Sequence, residues 1–317
     1  MLQSEHIPEG FNKDDIRVQN RRHLIFATDK QLEQLSKAKT WYIDGTFKLI
    51  STPFTQLLTI NDFVRSEDCM KQVPFVYVVM SGKQKKDYVK VLKRVLRLLP
   101  SPKAVKATID FEKAMWAAIR KVMPWVQISG CSFHWTQAVW RKVQELGLQI
   151  PYNEDDGTHR YIRKLLALPY LSSSEIPTQF RILEGEATTA PLKLLVKYIS
   201  DTWITNSIWP PSVWSVYKQP VRTNNDVEGW HNSLNRRACG KVHLPFYLLI
   251  NLLHQETQLT ALYIRLVSDH KLKRMQRRKY RKLQARIFDH WEEYADGQKS
   301  GWQLLRACSR LVQTIST

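Results

Sequence analysis

Residues 40–50, TWYIDGTFKLI, open a run of three β-rich segments that decides the fold of this chain. The segments TQLLTINDFV (55–64) and QVPFVYVVMSG (72–82) follow, each after a group of turn residues. This pattern predicts an antiparallel meander. On the N-terminal side of the meander, HLIFAT (23–28) has the composition of a strand and TDKQLEQLSKA (28–38) that of a capped helix.

Helices and strands alternate after the meander. Beginning with a helix, the pattern predicts helices and strands in turn at residues 85–98, 105–110, 112–123, 126–131 and 134–146. Such alternation adds parallel strands to an antiparallel meander. We therefore expect an α/β domain with a mixed sheet.

The rest of the chain is predicted to be helical. Residues 148–221 lose the strand pattern and carry Trp- and Pro-rich segments, which favours a folded helical insertion. An apolar helix at 245–267 and a basic helix at 268–293 follow. The predicted division is an N-terminal extension (1–22), a core in two parts (23–147 and 222–267), the insertion (148–221) and a basic helical C-terminal region (268–317).

Composition restricts the class of protein. The chain has 317 residues, 43% of them hydrophobic, which is enough to bury a substantial core. Its 48 Lys and Arg against 29 Asp and Glu give a formal charge of +19, which indicates an anionic partner, most simply nucleic acid. The four cysteines show no paired spacing, which favours a reducing compartment. No apolar run is long enough to cross a bilayer, so no membrane partner is expected.

Three acidic residues occupy positions where chemistry is expected. Asp44 lies within a hydrophobic strand, where an anion is costly to bury unless an ion or a donor meets it. Asp110 closes the strand VKATID, at the carboxyl end where ligands approach open sheets. Glu228 borders the buried face of a helix. Three carboxylates on three elements are what two divalent cations need at a phosphodiester. The alternatives are strand-end acids facing water for the two aspartates and a solvated first-turn acid for Glu228.

The segment RTNNDVEGWHNSLNRR (222–237) predicts the helix that carries Glu228. If Asn225 caps this helix, a buried face with i, i+3, i+7 spacing consists of Val227, Trp230 and Leu234. Asp226 competes with Glu228 as the third acid, but capping explains its place at the helix start. His231 could contact a phosphate or border the core.

Four motifs, in this order, resemble those of the Mutator-like (MULE) DNA transposases: WYIDGTFKL, IDFEKAMWAAI, GCSFHWTQAVWRKVQELGL and RTNNDVEGWHNSLNRR. The resemblance implies a ribonuclease-H-like fold, with a mixed five-stranded sheet flanked by helices and a mostly helical insertion before the last catalytic helix. It also implies a catalytic, metal-binding triad of Asp44, Asp110 and Glu228. Asp44 would bridge two Mg²⁺ (or Mn²⁺) ions, and the other two acids would hold one each.

The same resemblance implies partners and a compartment. The partners would be DNA in the form of transposon ends and target DNA. A homo-oligomer on that DNA is compatible with the resemblance, and the nucleus is the expected location.

The family's Cys-x-x-His signature is present as Cys131 and His134. A structural zinc site needs four ligands, and no second pair at suitable spacing is visible, so zinc is not expected. We expect Cys131 to pack as a small buried thiol. His134 is expected to donate hydrogen bonds near the DNA or to orient an active-site carboxylate, and Asn225 and His231 to support the same site.

Aromatic and basic residues are expected to bind DNA. Trp209 or Trp214 could stack on an unpaired base, as aromatic residues in comparable transposase insertions do, while core packing is the alternative. Residues 270–286 contain nine Lys or Arg and no acid, which predicts a phosphate-binding helix, a nuclear-import signal, or both. The basic residues predicted to contact DNA are Arg222, Arg236, Arg237, Lys273, Arg274, Arg277, Arg278, Arg281 and Lys282.

These features predict the catalytic domain of a DDE-type DNA transposase, which cleaves DNA and transfers the freed strand with two metal ions. The competing hypotheses are a catalytically silent, transposase-derived DNA-binding or regulatory protein and a nuclease without strand transfer. Full-length members of the family carry a zinc-binding module that recognises element ends, and residues 1–22 show no such pattern. We therefore expect a fragment, a truncated copy or a host-adopted derivative.

Overall fold

The computed structural model describes residues 3–66, 69–219, 225–238, 240–271 and 278–312. The chain forms two compact units. The first comprises Met1–Ser129 and Asn224–Arg274, and the second comprises Gly130–Thr223 and Met275–Thr317. Each unit is therefore built from two stretches that are distant in sequence.

A seven-stranded mixed sheet runs through the first unit in the order β1-β2-β5-β4-β3-β6-β7. Its strands are Asn12–Val18 (β1), Arg21–Phe26 (β2), Thr40–Thr46 (β3), Gln56–Ser66 (β4), Cys69–Met80 (β5), Lys106–Ile109 (β6) and Gln127–Gly130 (β7). The four pairs β1–β2, β2–β5, β5–β4 and β4–β3 are antiparallel, and β3 pairs with β6 in parallel. The predicted meander and the predicted mixed α/β sheet are confirmed.

The described sheet has seven strands, whereas the resemblance implied five. Strand β2 corresponds to the predicted strand HLIFAT, and the unpredicted strand β1 pairs with it, so that both extend the sheet beyond β5. Strand β1 reads NKDDIRV, and its charges are unfavourable to a strand in isolation. In the hairpin, however, Arg22 donates from Nε and Nη2 to Asp15, at 2.9 and 2.6 Å. Residues 12–22, expected as an extension, are therefore part of the sheet.

The described residues of the first unit form five α-helices. They are Asp29–Lys37 (α1), Lys85–Leu98 (α2), Lys113–Val122 (α3), Asn225–Arg237 (α10) and Phe246–Ser268 (α11). Helix α11 packs on β4 and β5, and α2 packs on α3 and the β1–β2 hairpin. The core combines sheet residues such as Leu24, Tyr77 and Val79 with Leu249 and Leu253 of α11. Helices α1 to α3 lie where they were predicted, within a residue or two.

The second unit is helical. Its helices are Ser132–Glu145 (α4), Gln149–Glu154 (α5), Asp156–Leu166 (α6), Glu175–Gly185 (α7), Ala190–Ile199 (α8), Pro211–Trp214 (α9), Arg278–Ala295 (α12) and Gly301–Ser309 (α13). Trp135 stacks on Trp214 with ring centroids 5.2 Å apart, and Trp203 stacks on Trp209 at 5.7 Å. Tryptophan packing therefore supplies much of the core of this unit.

The helices near the C-terminal end differ from the prediction in two ways. The predicted basic helix does not begin at residue 268, because α11 ends at Ser268 with Asp269 as its cap; α12 is described from Arg278. Helix α13 was not predicted. Its Ser300 and Gln303 form a capping box, the reciprocal arrangement that marks a helix start in sequence.

None of the helices in the described part of the chain has the length and apolar character needed to span a membrane.

Candidate active site

Strand register brings two of the predicted acids together. Strands β3 and β6 pair in parallel with Ile43 opposite Ile109; Asp44 is the next residue of β3, and Asp110 directly follows the end of β6. A carboxylate oxygen of Asp44 consequently lies within 4.8 Å of one of Asp110. Asp44 is 3% exposed, and Asp110 is half-buried. The sheet therefore places both carboxylates at the carboxyl edge of adjacent parallel strands.

Asp44 is held from two sides. Its Oδ1 accepts a hydrogen bond from the backbone N–H of Gly45 at 2.8 Å. Its Oδ2 lies 3.6 Å from Nδ1 of His231, which is itself buried on helix α10. This contact joins the first strand of the meander to the helix predicted to carry the third acid.

The two aspartates line a small cavity of about 50 Å³. Its other polar residues are Gln56, Tyr88 and Glu112. The hydroxyl of Tyr88 donates to the carboxylate of Glu112, at 3.0 and 3.2 Å, and accepts from Nε2 of Gln56 at 2.9 Å. The cavity is thus a polar recess with room for a water molecule or a small ion.

Glu112 is an acid of this recess that sequence reasoning missed. Burial raises the pKa of the Glu112 carboxyl, and Asp110 adds to that effect, while the Tyr88 hydrogen bond and Lys83 lower the pKa. Burial also raises the pKa of Tyr88, so its hydroxyl remains a donor. The sequence did offer one indication of this role: Glu112 follows Asp110 by two residues in IDFEKAM and directly precedes α3, so it lies in the same loop as Asp110.

Helix α10 has the predicted buried face. Val227 and Leu234 are buried, and the partly buried Trp230 packs against the same core. Trp230 Nε1 donates to Oε2 of Glu256 on α11 at 2.8 Å, and Arg237 forms an ion pair with the same carboxylate. Burial raises the pKa of Glu256, whereas its two partners lower it. Two donors that are two turns apart on α10 thus meet one buried acid.

Glu228 lies on α10, three residues before His231. The side chains of Glu228, Asn225 and Asp226 fall outside the described residues. The helix itself begins at Asn225, where the sequence placed its start.

The two residues of the Cys-x-x-His signature lie in the second unit. Cys131 is fully buried and precedes the first turn of α4, in agreement with its expected packing. His134 is half-buried on that turn, with its ring 5.4 Å from the ring of Phe133.

Both tryptophans proposed to stack on DNA are buried. Trp214 is fully buried and donates from Nε1 to the carbonyl oxygens of Trp203 and Trp209, at 3.2 Å each. Trp209 is 7% exposed. Their environment corresponds to the packing alternative rather than to a surface for an unpaired base.

The predicted basic contacts are only partly described. Arg236 is exposed on α10, whereas its neighbour Arg237 is engaged with Glu256. Lys282 is exposed on α12. The side chains of the remaining residues of that prediction lie outside the described residues: Arg222, Lys273, Arg274, Arg277, Arg278 and Arg281.

Comparison with known proteins identifies a family for the part of the chain that holds the two aspartates. Residues 40–138 match the MULE transposase domain. The match begins at β3 and ends within α4, so it includes Asp44 and Asp110 and excludes α10. No curated protein matches the chain. The chain therefore matches the MULE transposase domain over residues 40–138, which is less than half of its length.

Proposed function

We propose that the chain is the catalytic domain of a DDE-type DNA transposase that performs metal-dependent DNA cleavage and strand transfer. The observation that carries the proposal is the pairing of Asp44 and Asp110 at one sheet edge, within a domain of the MULE family. A buried carboxylate beside a second carboxylate is unfavourable unless a cation or donors compensate the charge.

The donor set suits a hard divalent cation. Mg²⁺ and Mn²⁺ prefer oxygen ligands, and Mg²⁺ binds them octahedrally at about 2.1 Å, so two oxygens sharing one ion lie about 3 Å apart at adjacent positions and about 4.2 Å apart at opposite ones. The carboxylate oxygens of Asp44 and Asp110 lie within 4.8 Å of each other, so small side-chain rotations would allow both to bind one ion. In this proposal Asp44, Asp110 and Glu228 hold two Mg²⁺ or Mn²⁺ ions. Positions three apart on a helix are neighbours, so the contact of His231 with Asp44 supports Glu228 as the third ligand.

When bound, such ions would activate a water molecule and stabilise charge on the phosphodiester oxygens. The residues of the protein hold the carboxylates in place. The Gly45 N–H orients the carboxylate of Asp44, His231 lies 3.6 Å from its Oδ2, and the parallel register places Asp110 beside it. Tyr88 and Gln56 hold Glu112 at the wall of the recess.

The strand order supports a ribonuclease-H-like core. Numbered from β3, the last five strands lie in the order third, second, first, fourth, fifth; the second pairs antiparallel with the first and third, and the fourth pairs parallel with the first. We propose that β1 and β2 are additions to that core and that residues 148–221 are an insertion in it. DNA is the proposed partner and the nucleus the proposed location, with the charge of +19 as support.

Nicking of plasmid DNA tests the proposal. We expect cleavage that requires Mg²⁺ or Mn²⁺, and we expect Asp44→Asn and Asp110→Asn to abolish it while DNA binding in gel shifts persists. Asp156→Asn, which changes an exposed acid of the second unit, is the matched control. Undiminished cleavage by Asp44→Asn would refute the mechanism, and DNA binding without cleavage by the wild-type chain would favour the silent regulatory protein.

A further inference from the structure

Three loops meet at the edge of the sheet that holds the carboxylates. Strands β3 and β5 both run antiparallel to β4, and β6 runs parallel to β3, so all three end at the same edge. Phe47 follows the end of β3, Lys83 follows the end of β5, and Asp110 follows β6. The topology thus places an aromatic ring and a lysine beside the acidic recess.

Phe47 is an exposed aromatic residue in a fixed position. Its side chain is 50% exposed although it lines the recess with Asp44 and Asp110. The loop that carries it is anchored, because the backbone N–H groups of His243 and Leu244 donate to the carbonyl oxygens of Lys48 and Leu49, at 3.0 and 3.1 Å. Leu49 and Ile50 are buried directly after it. The ring is therefore presented to solvent by a rigid loop.

Lys83 connects the ring to the recess. Its Nζ lies 5.2 Å from the centroid of the Phe47 ring, within the range of a cation–π contact. Its charge also lowers the pKa of Glu112, which places it within electrostatic reach of the carboxylate wall. The recess itself carries several acids, which repel a phosphate backbone. A cation at the rim offsets that repulsion.

We infer that Phe47 and Lys83 form a nucleotide clamp at the mouth of the recess. The Phe47 ring stacks on an unpaired base next to the cleaved bond, and the Lys83 ammonium pairs with an adjacent phosphate. An aromatic face accepts any base, and a single ammonium neutralises a phosphate without reading sequence. This inference rests on the proposed function, since it takes DNA as the substrate. It also supplies a surface for an unpaired base that the buried Trp209 and Trp214 do not offer.

Fluorescence of 2-aminopurine tests the clamp. The probe is a set of DNA duplexes that each carry a three-nucleotide gap with one 2-aminopurine in it, bound to the intact chain in Ca²⁺ buffer. We expect the base to be quenched on binding by wild type and by Phe47→Trp. Phe47→Ala should lose the quenching and about tenfold in affinity for gapped DNA, with unchanged affinity for continuous duplex. Lys83→Gln should reduce the salt slope of binding by about 0.7 to 0.9.

Matched control residues lie at the other end of the strands, where β6 begins. Trp125 is 59% exposed and donates to the carbonyl oxygen of Ala104, just before β6 begins, and Lys103 is exposed beside it. Trp125→Ala and Lys103→Gln should bind gapped DNA as wild type does. Full quenching by Phe47→Ala, or an equal loss in Trp125→Ala, would overturn the clamp. If Asp44→Asn still abolishes cleavage in that case, the proposed function survives; if wild type neither binds nor cleaves DNA, both proposals fail.

Discussion

His231 Nδ1 lies 3.6 Å from Oδ2 of Asp44, which ties helix α10 to the first strand of the meander. His231 is buried, so this contact is made inside the unit and not at its surface. The imidazole ring is thus a charged or polar neighbour of Oδ2, the carboxylate oxygen that the Gly45 N–H does not bind. The contact also brings the helix that carries Glu228 to the edge where Asp44 and Asp110 meet.

Replacing this histidine should impair catalysis more than binding. Outer partners that orient metal-binding carboxylates typically contribute about 10- to 100-fold in metal affinity or activity. We expect His231→Ala to lower kcat for plasmid nicking by about that factor, with gel-shift affinity retained. His6→Ala, at an exposed position, is the control. Wild-type kcat in His231→Ala would mean that the contact does not serve the site.

Two neighbouring arginines on α10 should behave differently. Arg237 pairs with Glu256, which is 2% exposed, whereas Arg236 is exposed. Glu256 is buried but Arg237 is partly exposed, so removing Arg237 leaves a buried carboxylate that has lost one of its two partners, and we expect Arg237→Gln to lower the free energy of unfolding by about 1–2 kcal/mol. Arg236→Gln should stay within about 0.5 kcal/mol of wild type. Urea unfolding measures both, and equal stability of the two variants would contradict the expectation.

Asp62 should make stability depend on pH. Burial on β4 raises the pKa of its carboxyl to about 6. In the unfolded chain this carboxyl ionises at about pH 3.9, so the unfolded state binds fewer protons between the two values. The contribution of Asp62 to the free energy of unfolding is therefore most favourable below about pH 4 and is lost as the pH rises through about 6.

The corresponding variant is Asp62→Asn, which removes the buried charge. We expect it to raise the free energy of unfolding by about 1–2 kcal/mol at pH 7.5 and to change little at pH 4. Thermal unfolding at the two pH values measures the difference, with the exposed Asp201→Asn as control. The same gain at both pH values would show that ionisation of Asp62 is not responsible.

The basic segment 270–286 is predicted to supply much of the DNA affinity. Each phosphate contact that a Lys or Arg makes contributes about −0.9 to the slope of log affinity against log salt. Replacing Lys273, Arg274, Arg277, Arg278, Arg281 and Lys282 with Gln should therefore flatten that slope by several units in fluorescence-anisotropy titrations. A folded variant with an unchanged slope that no longer enters nuclei would identify an import signal instead.

The hydrophobic periodicity and the order of the predicted elements along the sequence were sufficient to predict most strands and helices of the first unit. The alternation of residues 40–82 predicted the meander, and the apolar spacing of KKDYVKVLKRVLRL gave α2 its observed bounds. The approach of Asp44 to Asp110 was also predictable in kind, because parallel neighbours end at one edge. The register that makes them direct neighbours was not, since it depends on tertiary pairing between Ile43 and Ile109.

The features that sequence reasoning missed depend on contacts between distant residues. Strand β1 is stabilised by pairing of its charges, including Asp15 with Arg22 and Asp14 with Arg94, which propensity does not register. Glu112 is a residue of the recess because of its tertiary contact with Tyr88, which in turn binds Gln56, and neither contact is visible in the sequence. The burial of Trp214 likewise follows from how Trp135 packs on it.

The core of the first unit has a consequence for how the chain is made. It joins Phe11, Leu24 and Tyr77 to Leu234, Leu249 and Leu253, which are synthesised only after all of residues 130–223. Because chains fold as they emerge, an apolar face of the nascent sheet has no cover until α10 and α11 are synthesised. A ribosome-bound chain stopped before residue 225 should therefore bind holdase chaperones. One extended through α11, with a linker to clear the exit tunnel, should release them.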